Sequence, residues 1–184
     1  MRDVILYMSM SLDGFVASDR EHPGTAIPEG AELKQWKLDR ISKAGAHLMG
    51  RKTYEEMSSY WPQSDDPYAH PMNEIPKIVF SKTLDDDDAS WPTSRVARGE
   101  LATEIAAIKA EPGADVIAWG GAAFAGALAA ADLIDEYRLQ IPPLVLGEGK
   151  ALFSQLRESR HLNLVEATSF PSGTVVHVYQ PQRS

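Results

Sequence analysis

The segment Val116-Ile117-Ala118-Trp119-Gly120-Gly121-Ala122-Ala123-Phe124-Ala125-Gly126-Ala127-Leu128 constrains this chain more than any other. A short apolar run reads as a buried strand, two glycines interrupt it, and an alanine-rich helix follows. Glycine lacks a Cβ, so the backbone can turn sharply there and let a ligand approach closely. A helix starting at that point offers unpaired amide N–H groups and the positive end of its dipole, which together suit a phosphate. The same residues also fit a strand-to-helix turn that simply needs two glycines. The spacing is not that of the dinucleotide fingerprint G-x-G-x-x-G.

The remaining residues narrow the choice. At 184 residues, 43% apolar and 24% charged, the chain has the size and composition of one well-cored domain, residues 1–184. No apolar run approaches the roughly 18 to 20 residues of a membrane span. Met1-Arg2-Asp3 leads directly into a strand pattern and leaves no room for a signal peptide. The absence of cysteine removes disulfide scaffolds, thiolate zinc sites and cysteine nucleophiles, and makes a cytoplasmic location the default expectation. A formal charge of -8 argues against a nucleic-acid partner. It leaves room for a phosphorylated small molecule wherever a few cations gather.

Taken in order, Val4 to Met8 is a continuous apolar run, as in a strand buried on both faces. Ser9 to Ala17 then alternates around Asp13-Gly14, a turn signal with polar groups at a strand end. Residues 18–30 read as a loop, and 31–43 as a helix with Leu33, Trp36, Leu38 and Ile41 on one stripe and Gly45 as its C′ glycine. Ala46 to Met49 is a second buried strand, with His47 as a structural histidine, and a short helix follows Gly50. The stretch from Tyr60 to Pro76 reads as a long surface loop. Lys77 to Lys82 is a strand, Asp85 to Asp88 a solvated turn, and 100–110 a helix stopped by Pro112-Gly113. Residues 134–141 form a strand, and the runs 162–168 and 174–179 form a C-terminal antiparallel hairpin around Pro171-Ser172-Gly173. The pattern is α/β, with a mostly parallel sheet and an antiparallel edge. Gly147-Glu148-Gly149-Lys150 resembles the tail of a phosphate loop, but Leu144 stands where the first glycine belongs, so the Walker reading fails.

Three strand ends carry similar chemistry. Gly50-Arg51-Lys52-Thr53 supplies a glycine, two cations and a hydroxyl at a helix start. Ser81-Lys82 supplies a hydroxyl and a cation. Gly120-Gly121 supplies bare backbone at a third element. In a parallel sheet all three lie along the C-terminal edge, where ligands bind. Together they describe a site for a ligand with more than one phosphate.

The motifs Ser-Leu-Asp-Gly, Met-Gly-Arg-Lys-Thr-Tyr-Glu, Ile-Val-Phe-Ser-Lys, Trp-Gly-Gly-Ala and Ile-Pro-Pro-Leu-Val-Leu-Gly-Glu-Gly occur in that order from the N-terminus to about Phe153. In this the chain resembles the dihydrofolate reductase superfamily, and within it the riboflavin-biosynthesis reductase (RibD C-terminal domain) branch. The resemblance implies a dihydrofolate reductase-like three-layer fold, with a mixed, mostly parallel sheet of about eight strands between helices. It implies NADPH as cofactor and possible homodimers. It places Arg51 and Lys52 at the adenosine 2′-phosphate, Thr53 at the pyrophosphate, Ser81 and Lys82 along the adenosine ribose and its phosphate, and counts Gly50 among the cofactor-binding residues. Gly120, Gly121, Ala122, Ala123 and Phe124 would wrap the pyrophosphate from the other side, with Val16 and Ala17 near the nicotinamide. Folate reductases carry an acid in the helix before the Gly-Arg strand; an ungapped count puts Lys34 there, a departure that argues against folate as substrate.

Hydride transfer also needs a proton and a held substrate. Asp13 is the expected proton-handling or substrate-orienting group, Gln140 a polar contact in an apolar strand, and Tyr54 and Trp61 a stacking wall for the substrate. No metal-ligand set is picked out. Two functions fit: an NADPH-dependent reductase of a small heterocyclic or carbonyl substrate (pterin- or ribosylamino-pyrimidine-like), and an NADP-binding protein without turnover.

Overall fold

A computed structural model describes residues 1–19 and 22–182. In chain order its elements are β1 (Val4–Ser9), β2 (Phe15–Ala17), α1 (Ala31–Ile41), β3 (Ala46–Gly50), α2 (Arg51–Tyr60), a 3₁₀ turn (Trp61–Gln63), α3 (Ala69–Glu74) and β4 (Lys77–Phe80). There follow β5 (Ser94–Ala97), α4 (Leu101–Ala110), β6 (Val116–Trp119), α5 (Ala122–Ala130), β7 (Glu136–Ile141), β8 (Lys150–Ala151), β9 (Leu162–Ser169) and β10 (Val175–Pro181). Eight strands form one sheet in the order β5-β4-β3-β6-β1-β7-β10-β9. The pairings from β5 through to β7 are parallel, and β10 runs antiparallel to both β7 and β9. No helix among the described residues is long and apolar enough to cross a membrane.

The unbroken apolar run of β1 follows from its central place. Successive side chains point to opposite faces, and both faces are covered. Leu6 and Met8 join Ile105 and Ile108 of α4 and Ala125 and Leu128 of α5 in one core. Tyr7 joins Ile41 of α1, Tyr54 of α2 and Met72 of α3 in the other. These are the three layers expected from the sequence.

Two local expectations need correction, and one element has no counterpart in the sequence reading. Gly45 is not a left-handed helix cap: α1 ends at Ile41, Ser42 takes the cap position, and Gly45 does not have a left-handed φ. A Cβ on it would lie 2.4 Å from the Ala114 carbonyl oxygen, so close backbone approach is what requires glycine. The stretch between Tyr60 and Pro76 is not a plain loop, because it contains the 3₁₀ turn and α3. Asp66 makes the turn that leads into α3, its carboxylate accepting the N–H of Tyr68 at 3.0 Å and its carbonyl that of Ala69. Met72 then buries its side chain in the core that contains Tyr54. The two-residue strand β8, which pairs antiparallel with β2, is too short to leave a pattern in the sequence.

His47 on β3 is fully buried and tied on both ring nitrogens. The Trp119 indole N–H donates to Nδ1 at 3.0 Å, and Nε2 bonds the Pro71 carbonyl at 3.3 Å, where it acts as the donor. Burial pushes its pKa down to about 4 from 6.5. The unfolded chain therefore takes up a proton below about 6.5 that the folded chain refuses until about 4. Over that window stability falls as pH falls, by on the order of 3 kcal/mol in total from this group. Urea-unfolding midpoints measured at pH 7 and pH 4.5 should show the loss, and His47→Gln should remove its share of the slope. An unchanged slope in the variant would assign the acid sensitivity elsewhere.

Candidate active site

β3, β6 and β1 are neighbours at the middle of the sheet, and their C-terminal ends open on one cleft of about 620 Å³. Two helices start there. Gly50 is the N-cap of α2 and Gly121 the N-cap of α5, and neither end has a side-chain cap. The first amides of both helices are left without side-chain partners, the condition under which a helix start accepts an anion. One wall of the cleft is Gly50, Arg51, Lys52 and Thr53, and the facing wall runs from Gly120 to Phe124. Met8, Val16 and Ala17 line one end, beside Gly149, Lys150 and Ala151.

The glycines are explained by distance and not by a sharp turn. Gly121 has extended backbone, φ −99° and ψ 149°, and Gly120 also lies outside the left-handed region. A Cβ on Gly120 would lie 2.1 Å from the Met8 sulfur. One on Gly121 would lie 3.1 Å from Thr53 Oγ1, and one on Gly50 3.3 Å from Phe124 Cβ. The Phe124 ring in turn packs on Phe80 with centroids 5.0 Å apart. Bare backbone at these positions lets the two helix starts lie close together at the ends of the neighbouring strands β3 and β6.

The cations of this region are held by neighbours on their own surface. Arg51 Nε donates to Glu55 Oε1 at 2.6 Å, and its Nη1 to the Thr83 hydroxyl at 3.0 Å. Lys52 stands 3.9 Å from Glu56. Lys82 pairs with Glu100 at 3.5 Å, well exposed, and Ser81 Oγ accepts the amides of Thr83 and Leu84. Ser81 and Lys82 do not line the cleft; they follow β4, which pairs directly with β3, while Arg51 reaches across to Thr83 beside them. Exposed pairs of this kind are worth little in water, so an incoming phosphate can replace the carboxylates.

Of the expected substrate and catalytic residues, the structure brings none into the cleft. Tyr54 is buried in the core on the other sheet face, its hydroxyl accepting the Trp91 N–H at 2.9 Å. Trp61 packs edge-on against Tyr60 and Tyr68. Gln140 sits beside Ser9 in the β1–β7 register, hence on the face opposite Met8. It is only 4% exposed, and its Oε1 has no partner; the buried Tyr7 hydroxyl on the same face also lacks one. Asp13 is exposed, and its two carboxylate oxygens accept the N–H groups of Leu146 at 3.1 Å and Gly147 at 2.7 Å. The Ser11 hydroxyl and those two amides hold its pKa below the ordinary carboxylate value. Such a group stays ionised at neutral pH and is poorly suited to donate a proton.

Several groups in the cleft carry no signal that sequence reasoning could have used. His22 and Glu56 line it, and burial lowers the His22 pKa against the opposing charge of Glu56. Lys150, Ser154 and Gln155 line it from the long β7–β9 connection. Lys34, the residue at the helix-acid position, forms an ion pair with Asp66 at 2.8 Å. The half-buried carboxylate near that helix start is instead Glu29, which accepts the Tyr68 hydroxyl at 2.8 Å and pairs with Lys37.

The sequence pattern of the RibD C-terminal domain matches residues 2–176. The uncharacterized protein YyaP of Bacillus subtilis (strain 168) is 30% identical over 97% of this chain and 94% of its own length. The uncharacterized YwjB of the same organism is 26% identical over 96% and 97%. Among solved structures, a Shewanella sp. PV-4 protein provisionally ascribed to riboflavin biosynthesis superposes with a TM-score of 0.80, at 23% identity over 98% of this chain and 99% of its own. A bifunctional diaminohydroxyphosphoribosylaminopyrimidine deaminase and 5-amino-6-(5-phosphoribosylamino)uracil reductase from Thermotoga maritima gives 0.68 at 15% identity, over 98% of this chain and 56% of that longer one. At these identities the structures establish a shared, dihydrofolate reductase-like fold.

The Gly120 contact has a measurable cost. Gly120→Ala should lower stability by about 1–3 kcal/mol through overpacking against the Met8 sulfur. Shortening the partner with Met8→Ala should recover part of that loss in the double variant. Additive losses in a denaturant double-mutant cycle would show that the two sites are not in contact.

Proposed function

The chain belongs to the RibD C-terminal domain family, and on that premise we propose that it is an NADPH-dependent reductase of a small heterocyclic or carbonyl substrate. The observation that carries this reading is the pair of uncapped helix starts facing one cleft, with Arg51 and Lys52 at its edge. A dinucleotide fits that donor set. The amides at the starts of α2 and α5, with Thr53, would hold the pyrophosphate. Arg51 and Lys52 would exchange Glu55 and Glu56 for the 2′-phosphate, with Ser81 and Lys82 along the adenosine ribose. Val16 and Ala17 would border the nicotinamide. When bound, NADPH supplies the hydride.

The partnerless Gln140 Oε1 and Tyr7 hydroxyl support a substrate contact on the other sheet face, where an N–H and an acceptor of a heterocycle would satisfy an acceptor and a donor. A pyrimidine of the kind named for the Thermotoga maritima relative meets that requirement. A second reading, an NADP-binding protein without turnover, is favoured by one observation: Lys34, paired with Asp66, occupies the helix-acid position.

NADPH should raise the thermal midpoint more than equimolar NADH, and Arg51→Ala should abolish the preference. Loss of a charge-assisted phosphate contact corresponds to about 10- to 100-fold weaker NADPH binding. Oxidation of NADPH followed at its absorbance maximum against pyrimidine, pterin and aldehyde panels separates the two readings. Binding with no turnover above background leaves only the second, and equal, negligible shifts from both nucleotides defeat both.

A further inference from the structure

The carboxylate of Asp13 stands outside the cleft and holds one of its walls. Its two oxygens take successive backbone amides, Leu146 and Gly147, from a segment more than 130 positions away. Around that clamp the two chain segments are stitched at low density. The Leu12 amide donates to the Leu144 carbonyl at 2.8 Å and the Leu152 amide to the Gly14 carbonyl at 3.4 Å. Phe15 pairs with Ala151 and Ala17 with Lys150, with an irregular register between them.

A two-residue strand is marginal by itself, so its position depends on what fixes the chain on either side. Immediately before it, Gly147 and Gly149 both have left-handed φ, at 75° and 145°. A Cβ on Gly149 would lie 2.3 Å from the Ala17 carbonyl oxygen. The wall is thus a tight backbone-to-backbone approach, entered through two residues of high conformational freedom. An anionic acceptor on consecutive amides is what removes that freedom, because it sets both the position and the direction of the turn. Downstream of the turn stands Lys150, which faces the cleft and makes no ion pair among the described residues.

We propose that Asp13 is a positioning residue: by holding the Leu146 and Gly147 amides it sets the Gly149–Ala151 wall beside Val16 and Ala17 and keeps Lys150 on the cleft's lining. The inference rests on the cofactor reading for one point only, that Val16 and Ala17 mark the nicotinamide end. Asparagine cannot substitute, since its NH₂ would meet one of the two amides donor to donor.

Two probes separate the ends of the cleft. Adenosine 2′,5′-bisphosphate reports the Arg51 end alone, and NADPH spans the whole. Asp13→Ala and Asp13→Asn should each weaken NADPH by about tenfold, the value of one charge-assisted contact, and leave the bisphosphate unchanged. Amide exchange in the ligand-free protein should rise at 146–151 in both variants, while the midpoint of global unfolding moves little. A variant that weakens both probes equally, or that keeps protection at 146–151, overturns the proposal. If the wild-type protein binds neither probe, the cofactor reading fails on its own; the exchange measurement then decides the wall, with lost protection through 149–151 supporting it and retained protection refuting it.

Discussion

The starts of α2 and α5 meet at the ends of two neighbouring strands, β3 and β6, where the backbone carries no side chains. That constraint falls on Gly50, Gly120 and Gly121, each of which would place a Cβ within 3.3 Å of another residue. The neighbours are Phe124, Met8 and Thr53, and each belongs to a different part of the sheet edge. Met8 lies one residue before the end of β1, Thr53 lies in the first turn of α2, and Phe124 lies in the first turn of α5. The cleft, its exposed amides and its pair of walls all follow from this one crowded point. The two helices follow the neighbouring central strands β3 and β6, which brings their starts onto one opening.

Charge explains why such a site can exist in an acidic chain. The formal charge of -8 would repel a polyphosphate at long range. Arg51 and Lys52 counter it locally, and each is held in place by a glutamate one helical turn on, Glu55 and Glu56. Exposed pairs at this spacing contribute little in water. The glutamates therefore keep the cations oriented without competing strongly against a doubly charged phosphate. In the proposed reading, neutral backbone at the two helix starts would supply the rest of the recognition.

Much of this was legible in the sequence because it leaves periodic or compositional traces. Continuous apolar runs identify the central strands, and the final alternating runs identify the antiparallel edge. Gly-Arg-Lys-Thr and Gly-Gly mark strand ends that do meet at one cleft. What was not legible has physical reasons. The stretch between Tyr60 and Pro76 has a loop's composition, yet a turn at Asp66 leads into a helix that Met72 anchors through contacts distant in sequence. Tyr54 looks like a ligand wall beside Thr53, but one step along a helix turns a side chain by about 100°, here into the core. Asp13 has the residue type of a catalytic acid; only the folded chain shows that its oxygens are committed to amides near position 146. His22 and Lys150 reach the cleft from connections with no periodicity at all.

The central claim is that the starts of α2 and α5 together form one dinucleotide seat. Residue-resolved NMR of the backbone amides during titration with NADPH tests it most directly. The account predicts that the largest shifts fall at Arg51, Lys52 and Thr53 and at Ala122, Ala123 and Phe124, moving together with one dissociation constant. Saturable binding that leaves either helix start unmoved would contradict it.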